Sequence, residues 1–167
     1  MAVAVVMLLS LAVGGCVPRA QPHPAEIRTT APPWPAPRDT ISNIELTGLP
    51  QLPLDTTGQA RIFTLTVTLD GQPVVVPPYV GIDRIRAVQA AAHTHEDRGE
   101  VWLEGQGSDQ VTLGHFFTLW GVRLDDRCVG NVCGTVEVRA DGQPVTDPQA
   151  LKLIEVTGRL ELVATSG

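Results

Sequence analysis

Apolar and polar residues alternate in short runs over the second two thirds of the chain. In Arg61 to Leu69, Phe63, Leu65, Val67 and Leu69 alternate with Ile62, Thr64, Thr66 and Thr68. A period of two with β-branched residues predicts a half-buried strand. Asp70-Gly71 follows as a tight-turn signal, and Val74 to Val76 supplies the returning strand of a hairpin. The device recurs where Thr135 to Ala140 runs into Asp141-Gly142-Gln143-Pro144-Val145, repeating Asp70-Gly71-Gln72-Pro73-Val74 residue for residue. Little else matches around the two copies, so convergence on one good turn explains them better than duplication. Leu151 to Val156 and Arg159 to Ala164, separated by Gly158, read as two further strands, the second with Leu160, Leu162 and Ala164 on one face. Short strands at this spacing predict a mainly β fold, an antiparallel β-sandwich or small barrel.

One segment departs from the period. Thr112 is placed to cap a helix in which Leu113, Phe116, Phe117 and Trp120 form a single apolar stripe before Gly121 ends it. Core packing is the expected role of that stripe, and His115 falls on the opposite face. This one short helix is expected to plug an end of the sheet.

Upstream the pattern fades. From Val17 to about Leu54 the chain is rich in proline, with Pro18, Pro22, Pro24, Pro32, Pro33, Pro35, Pro37, Pro50 and Pro53. Few amide donors and little periodicity predict an extended, partly polyproline tether, with His23 and Trp34 as solvated linker residues. Alternation of Ile44 and Leu46 with Asn43, Glu45 and Thr47 predicts a first strand near its end. The expected organisation is a signal over residues 1–15, a tether over 16–54 and one domain over 55–167.

The signal rests on Leu11-Ala12-Val13-Gly14-Gly15-Cys16, an apolar run that ends in small residues before a cysteine. It resembles a bacterial lipoprotein signal, which implies cleavage before Cys16, a lipidated Cys16 and attachment to the cell membrane or envelope on its extracytoplasmic side. No Lys or Arg precedes the run, as a secretory signal ordinarily has. A spanning helix needs about 20 apolar residues, and this run meets Pro18 and Arg19 too soon. The net charge of −6 and the absence of a basic stripe exclude a nucleic-acid surface.

Cys128 and Cys133 form a Cys-x4-Cys pair. With Cys16 acylated they make an even pair in an oxidising compartment, so a local disulfide is expected over a thiolate metal site, which lacks a second ligand pair.

Candidate chemistry is confined to His93-Thr94-His95-Glu96-Asp97-Arg98-Gly99-Glu100-Val101-Trp102. On a strand, His93 and His95 share a face. A four-residue loop would place His95 opposite Glu100 and His93 opposite Trp102. A three-residue loop would instead pair Glu96 with Glu100. Two histidines and a carboxylate suit copper or zinc with open positions, so His93, His95 and Glu100, with His115 as an alternative, are the candidate metal ligands. The spacing His-x-His-x4-Glu resembles part of the cupin metal motif, although Ala87 stands where that motif has glycine and its second half is missing. No catalytic set is visible, and Ser108 has no nucleophile-elbow context.

From about Thr64 to Val163, the Asp-Gly-Gln-Pro-Val hairpin, Val80-Gly81-Ile82, His93-Thr94-His95, Glu104, Thr112-Leu113-Gly114-x-Phe116-Phe117-x-x-Trp120-Gly121 and the Cys128 to Cys133 loop together resemble a family of uncharacterised, membrane-anchored bacterial and archaeal proteins. Its members often carry a third histidine where this chain has Trp102, and a glutamine where it has His115. The resemblance implies ancestry and no particular activity. Two functions are therefore expected: a non-enzymatic envelope domain that is structural or binds a protein partner, and, as the alternative, copper or zinc binding through the His93/His95 hairpin.

Overall fold

A computed structural model describes residues 21–56 and 58–167. The signal run and Cys16 lie outside the described residues. In chain order the elements are α1 (Ile41–Thr47), β1 (Leu52–Pro53), β2 (Arg61–Leu69), β3 (Gln72–Val74), β4 (Ile82–Asp83), β5 (Val88–Gln89), β6 (Ala92–His93), β7 (Glu100–Leu103), α2 (Leu113–Trp120), β8 (Cys128–Val129), β9 (Val132–Ala140), β10 (Gln143–Pro144) and β11 (Arg159–Ser166). The fold is mainly β, as the alternation predicts. A large curled sheet has the order β10-β9-β11-β2-β7-β6, with β3 on β2 and β8 on β9, and a small sheet has the order β1-β5-β4. Pairing is antiparallel except between the two central strands, β2 and β11, which run parallel. Such a pair needs a long crossover, and most of the domain is threaded between its two strands.

The expected alternation sets the core. Phe63, Leu65, Val67 and Leu69 of β2 and Leu160, Leu162 and Ala164 of β11 are buried, and their neighbours in sequence face outward or the rim. The stripe of α2 is buried with them: Leu113, Phe116, Phe117 and Trp120 all lose their exposure. Both Asp-Gly turns form as two-residue hairpin loops, Leu69 opposite Gln72 and Ala140 opposite Gln143. Asp70 and Gly71, like Asp141 and Gly142, have positive φ, the condition of a type I′ turn. The repeated aspartate has a second task. Asp141 accepts from the amides of Thr157, Gly158 and Arg159, and Asp70 accepts from the amide and hydroxyl of Ser166, so the two turns hold β11 at its two ends.

Three expectations are corrected. The described part of the proline-rich segment, from residue 21 on, is not a free tether. Arg28 pairs with Val122 through backbone bonds, and Trp34 is only 2% exposed. Its indole packs edge-on against Trp120 with centroids 5.7 Å apart, and the Trp120 indole donates to the Trp34 carbonyl at 2.9 Å. Prolines withhold donors, but the amides of Arg28 and Thr40 find partners and Trp34, Ile41 and Ile44 reach the core. His23, in contrast, keeps an exposed side chain, as a linker residue would. The strand expected near Ile44 is instead α1, the second α-helix of the fold; Ile41 and Ile44, three apart, are buried on one side, and Gly48 closes it with positive φ. Leu151 to Val156 forms no strand: Leu153–Glu155 is a 3₁₀ turn that buries Leu153 and Val156. Its pair of buried residues at i and i+3 is a helical spacing hidden inside a short apolar run.

Cys128 and Cys133 face each other across the turn from β8 to β9, with their sulfurs joined at disulfide distance.

Candidate functional site

β6 and β7 pair with Ala92 opposite Leu103 and His93 opposite Trp102, the register of the four-residue loop. The ladder stops there, because Thr94 turns its backbone to the preceding segment: its amide donates to the Val80 carbonyl and its carbonyl accepts from the Tyr79 amide. Residues 95–99 therefore leave the hairpin before His95 meets Glu100. Glu100 pairs with Thr64 of β2 and, among the described residues, makes no hydrogen bond or ion pair with either histidine. This corrects the expected ligand set.

His93 and His95 do share a face. Their rings stack edge-on with centroids 4.9 Å apart, and His95 stacks in the same way on Trp102 at 5.0 Å. His93 is fully buried, whereas His95 is exposed. The His93 Nδ1 lies 3.1 Å from the Ala90 carbonyl, which can only accept, so Nδ1 carries the hydrogen and Nε2 presents a lone pair. That Nε2 has no hydrogen-bond partner. It lies 3.4 Å from Glu104 Oε1, which in turn accepts from the Gln89 side-chain amide at 3.1 Å. Burial holds His93 below its ordinary pKa; the nearby His95 pushes the same way, and the Ala90 carbonyl and Glu104 pull back incompletely. Glu104, two residues beyond Trp102, is on the His93 face by strand period, which is the signal that places it here.

His115 is far from serving as a ligand. It is the third residue of α2, where its amide donates to Thr112 Oγ1 at 3.2 Å and its Nδ1 accepts from the Thr112 amide at 3.3 Å. This is a capping box with histidine in the place ordinarily taken by Glu or Gln. Burial lowers its pKa, favouring the neutral ring that can accept. Among the described residues no three His, Cys, Asp or Glu side chains converge as a ready-made metal centre.

A second feature lies on the outer side of α2. Ile27, Leu46, Phe117, Val122 and Leu124 line a groove of about 490 Å³ together with polar residues that include His115 and Arg123. Leu46 is 62% exposed and Ile27 40% exposed, although both are large and apolar. No helix among the described residues is long and apolar enough to cross a membrane. The chain matches no protein-family model, and comparison with curated proteins and with solved structures found no match.

Proposed function

We propose that this protein is a lipid-anchored envelope protein, held outside the cytoplasm by Cys16, whose domain binds a protein partner in the groove beside α2 and carries out no reaction of its own. The observation that carries this reading is the exposure of Leu46 and Ile27 next to Phe117 and Val122, an apolar surface that the domain leaves uncovered. The lipoprotein-like run ending at Cys16 supports the anchor, and the Cys128–Cys133 pair suits an oxidising compartment. Ile27 follows Cys16 by eleven positions, a contour of at most about 40 Å, so the groove stays near the lipid surface and its partner is membrane-proximal.

The test has two parts. Cys16→Ala should release the protein from the membrane fraction into the soluble extracytoplasmic fraction, because the acyl chains supply the membrane affinity. A photo-crosslinking residue at Leu46 should give one discrete adduct in intact envelopes that is lost with Ile27→Asp, while the same probe at Val163, exposed on β11, should give none. Membrane retention of the Cys16 variant refutes the anchor. No adduct at Leu46, or the same adduct at Val163, refutes the groove.

A further inference from the structure

A bare imidazole nitrogen, fully buried and 3.4 Å from a carboxylate oxygen, is an unusual arrangement. Two acceptors lie side by side, and leaving the buried His93 nitrogen without a donor is costly. A proton between them would draw the atoms together, since a charge-assisted N–H···O bond is about 2.7–2.9 Å long. The separation here is 3.4 Å, and the geometry makes no hydrogen bond. Two ligands of one tetrahedral ion with bonds of about 2.0–2.1 Å stand roughly 3.3–3.4 Å apart. The spacing is that of a coordination edge.

The third donor is at hand. Two imidazoles on one such ion have ring centres about 5 Å apart, and those of His93 and His95 are 4.9 Å apart. His95 is exposed, and among the described residues it makes ring contacts with His93 and Trp102 but no hydrogen bond that would stop a nitrogen turning toward the ion. We propose that His93 Nε2, Glu104 Oε1 and His95 form a three-donor site for a borderline divalent metal ion, zinc or copper(II), with the fourth position left to water or a partner's side chain.

The surroundings are those such a site needs. The Ala90 carbonyl fixes the His93 tautomer from behind, the usual support of a metal-binding imidazole, and the Gln89 amide positions the Glu104 carboxylate. Gln89 belongs to β5 of the small sheet, so the support of Glu104 comes from a different sheet than His93 of β6. Glu104 and His95 reach the surface and offer the ion a way in.

Calorimetric titration of the untagged full-length chain with zinc, and the visible spectrum of the same chain with cobalt(II), test this site. One zinc per chain with micromolar or tighter Kd is expected, with the intense d–d bands of tetrahedral cobalt. Glu104→Gln, His95→Ala and His93→Ala should each weaken zinc binding tenfold or more, whereas Glu100→Gln and His115→Ala should change it less than twofold. Glu104→Gln and His95→Ala alter side chains that reach solvent, so an unchanged near-ultraviolet circular dichroism spectrum will show that the fold is kept. The absence of micromolar zinc binding by the unaltered chain, or unchanged affinity in any one of the three ligand variants, overturns the site.

Discussion

Replacing Trp34 with alanine separates a folded segment from a tether more sharply than any other change. Trp34 is 2% exposed, packs edge-on against Trp120, and donates its indole hydrogen to the Thr30 carbonyl at 3.0 Å. An aromatic side chain of this kind buries roughly 200 Å², worth about 5 kcal/mol at about 25 cal/mol per Å². Relaxation of the surroundings and burial already present in the unfolded chain reduce that figure, and measured losses for Trp or Phe to Ala in cores are about 3–5 kcal/mol. Trp34→Ala should therefore lower stability by about 3–5 kcal/mol, or some 6–20 °C in melting temperature for a domain of this size. The assay is urea unfolding followed by far-ultraviolet circular dichroism, which does not depend on the lost fluorophore. Gly130 gives an independent probe of the same contact. It has positive φ, and a Cβ there would enter the Trp34 ring, so Gly130→Ala should also destabilise. A loss below about 0.5 kcal/mol for Trp34→Ala, the range of ordinary surface changes, would mean that the segment is a solvated tether after all.

Cys128 and Cys133 should both resist thiol labelling in the unreduced, chelator-treated protein, and reduction should cost about 2 kcal/mol, since the closed loop is short; quantitative labelling of both in the native protein would reject the bond. Stability should fall as the pH drops from about 7.5 to 5, measured by the urea midpoint in the presence of chelator. His93 and His115 are held below the ordinary histidine range in the folded state, so the unfolded chain takes up protons first. Their contribution is fully present above the unfolded value of about 6.5 and is lost as the pH falls through the folded values. His115→Gln should keep the helix cap and reduce this pH dependence, and a slope of opposite sign in the parent would contradict the burial of both rings.

Local rules made part of this protein legible from its residues. β2, β9 and β11 announce themselves by period, both hairpin turns by Asp-Gly, and α2 by its cap, its stripe and its closing glycine, because each of these depends on interactions within about ten residues. The shared face of His93 and His95 follows from the strand period in the same way. Other features depended on distant groups. Whether Trp34 is solvent-exposed or buried is decided by Trp120, 86 positions away. The short helix α1 forms where five alternating residues suggest a strand, because α2 offers a surface to Ile44 and its last turn accepts from Asn43, 2.8 Å from the Thr118 carbonyl. The parallel pairing of β2 with β11 joins segments with most of the domain between them, and no local pattern encodes such a partner. The candidate site divides along the same line. Two registers were open for the loop after His95, and the backbone of Tyr79 and Val80 decided the matter by taking Thr94 out of the hairpin, which left Glu100 with β2, while Glu104, two residues past the partner of His93, lies 3.4 Å from its ring. Which carboxylate comes within 3.4 Å of the buried imidazole was thus settled by tertiary pairing, since side-chain spacing along a strand limits the candidates but the packing of a third segment chooses among them.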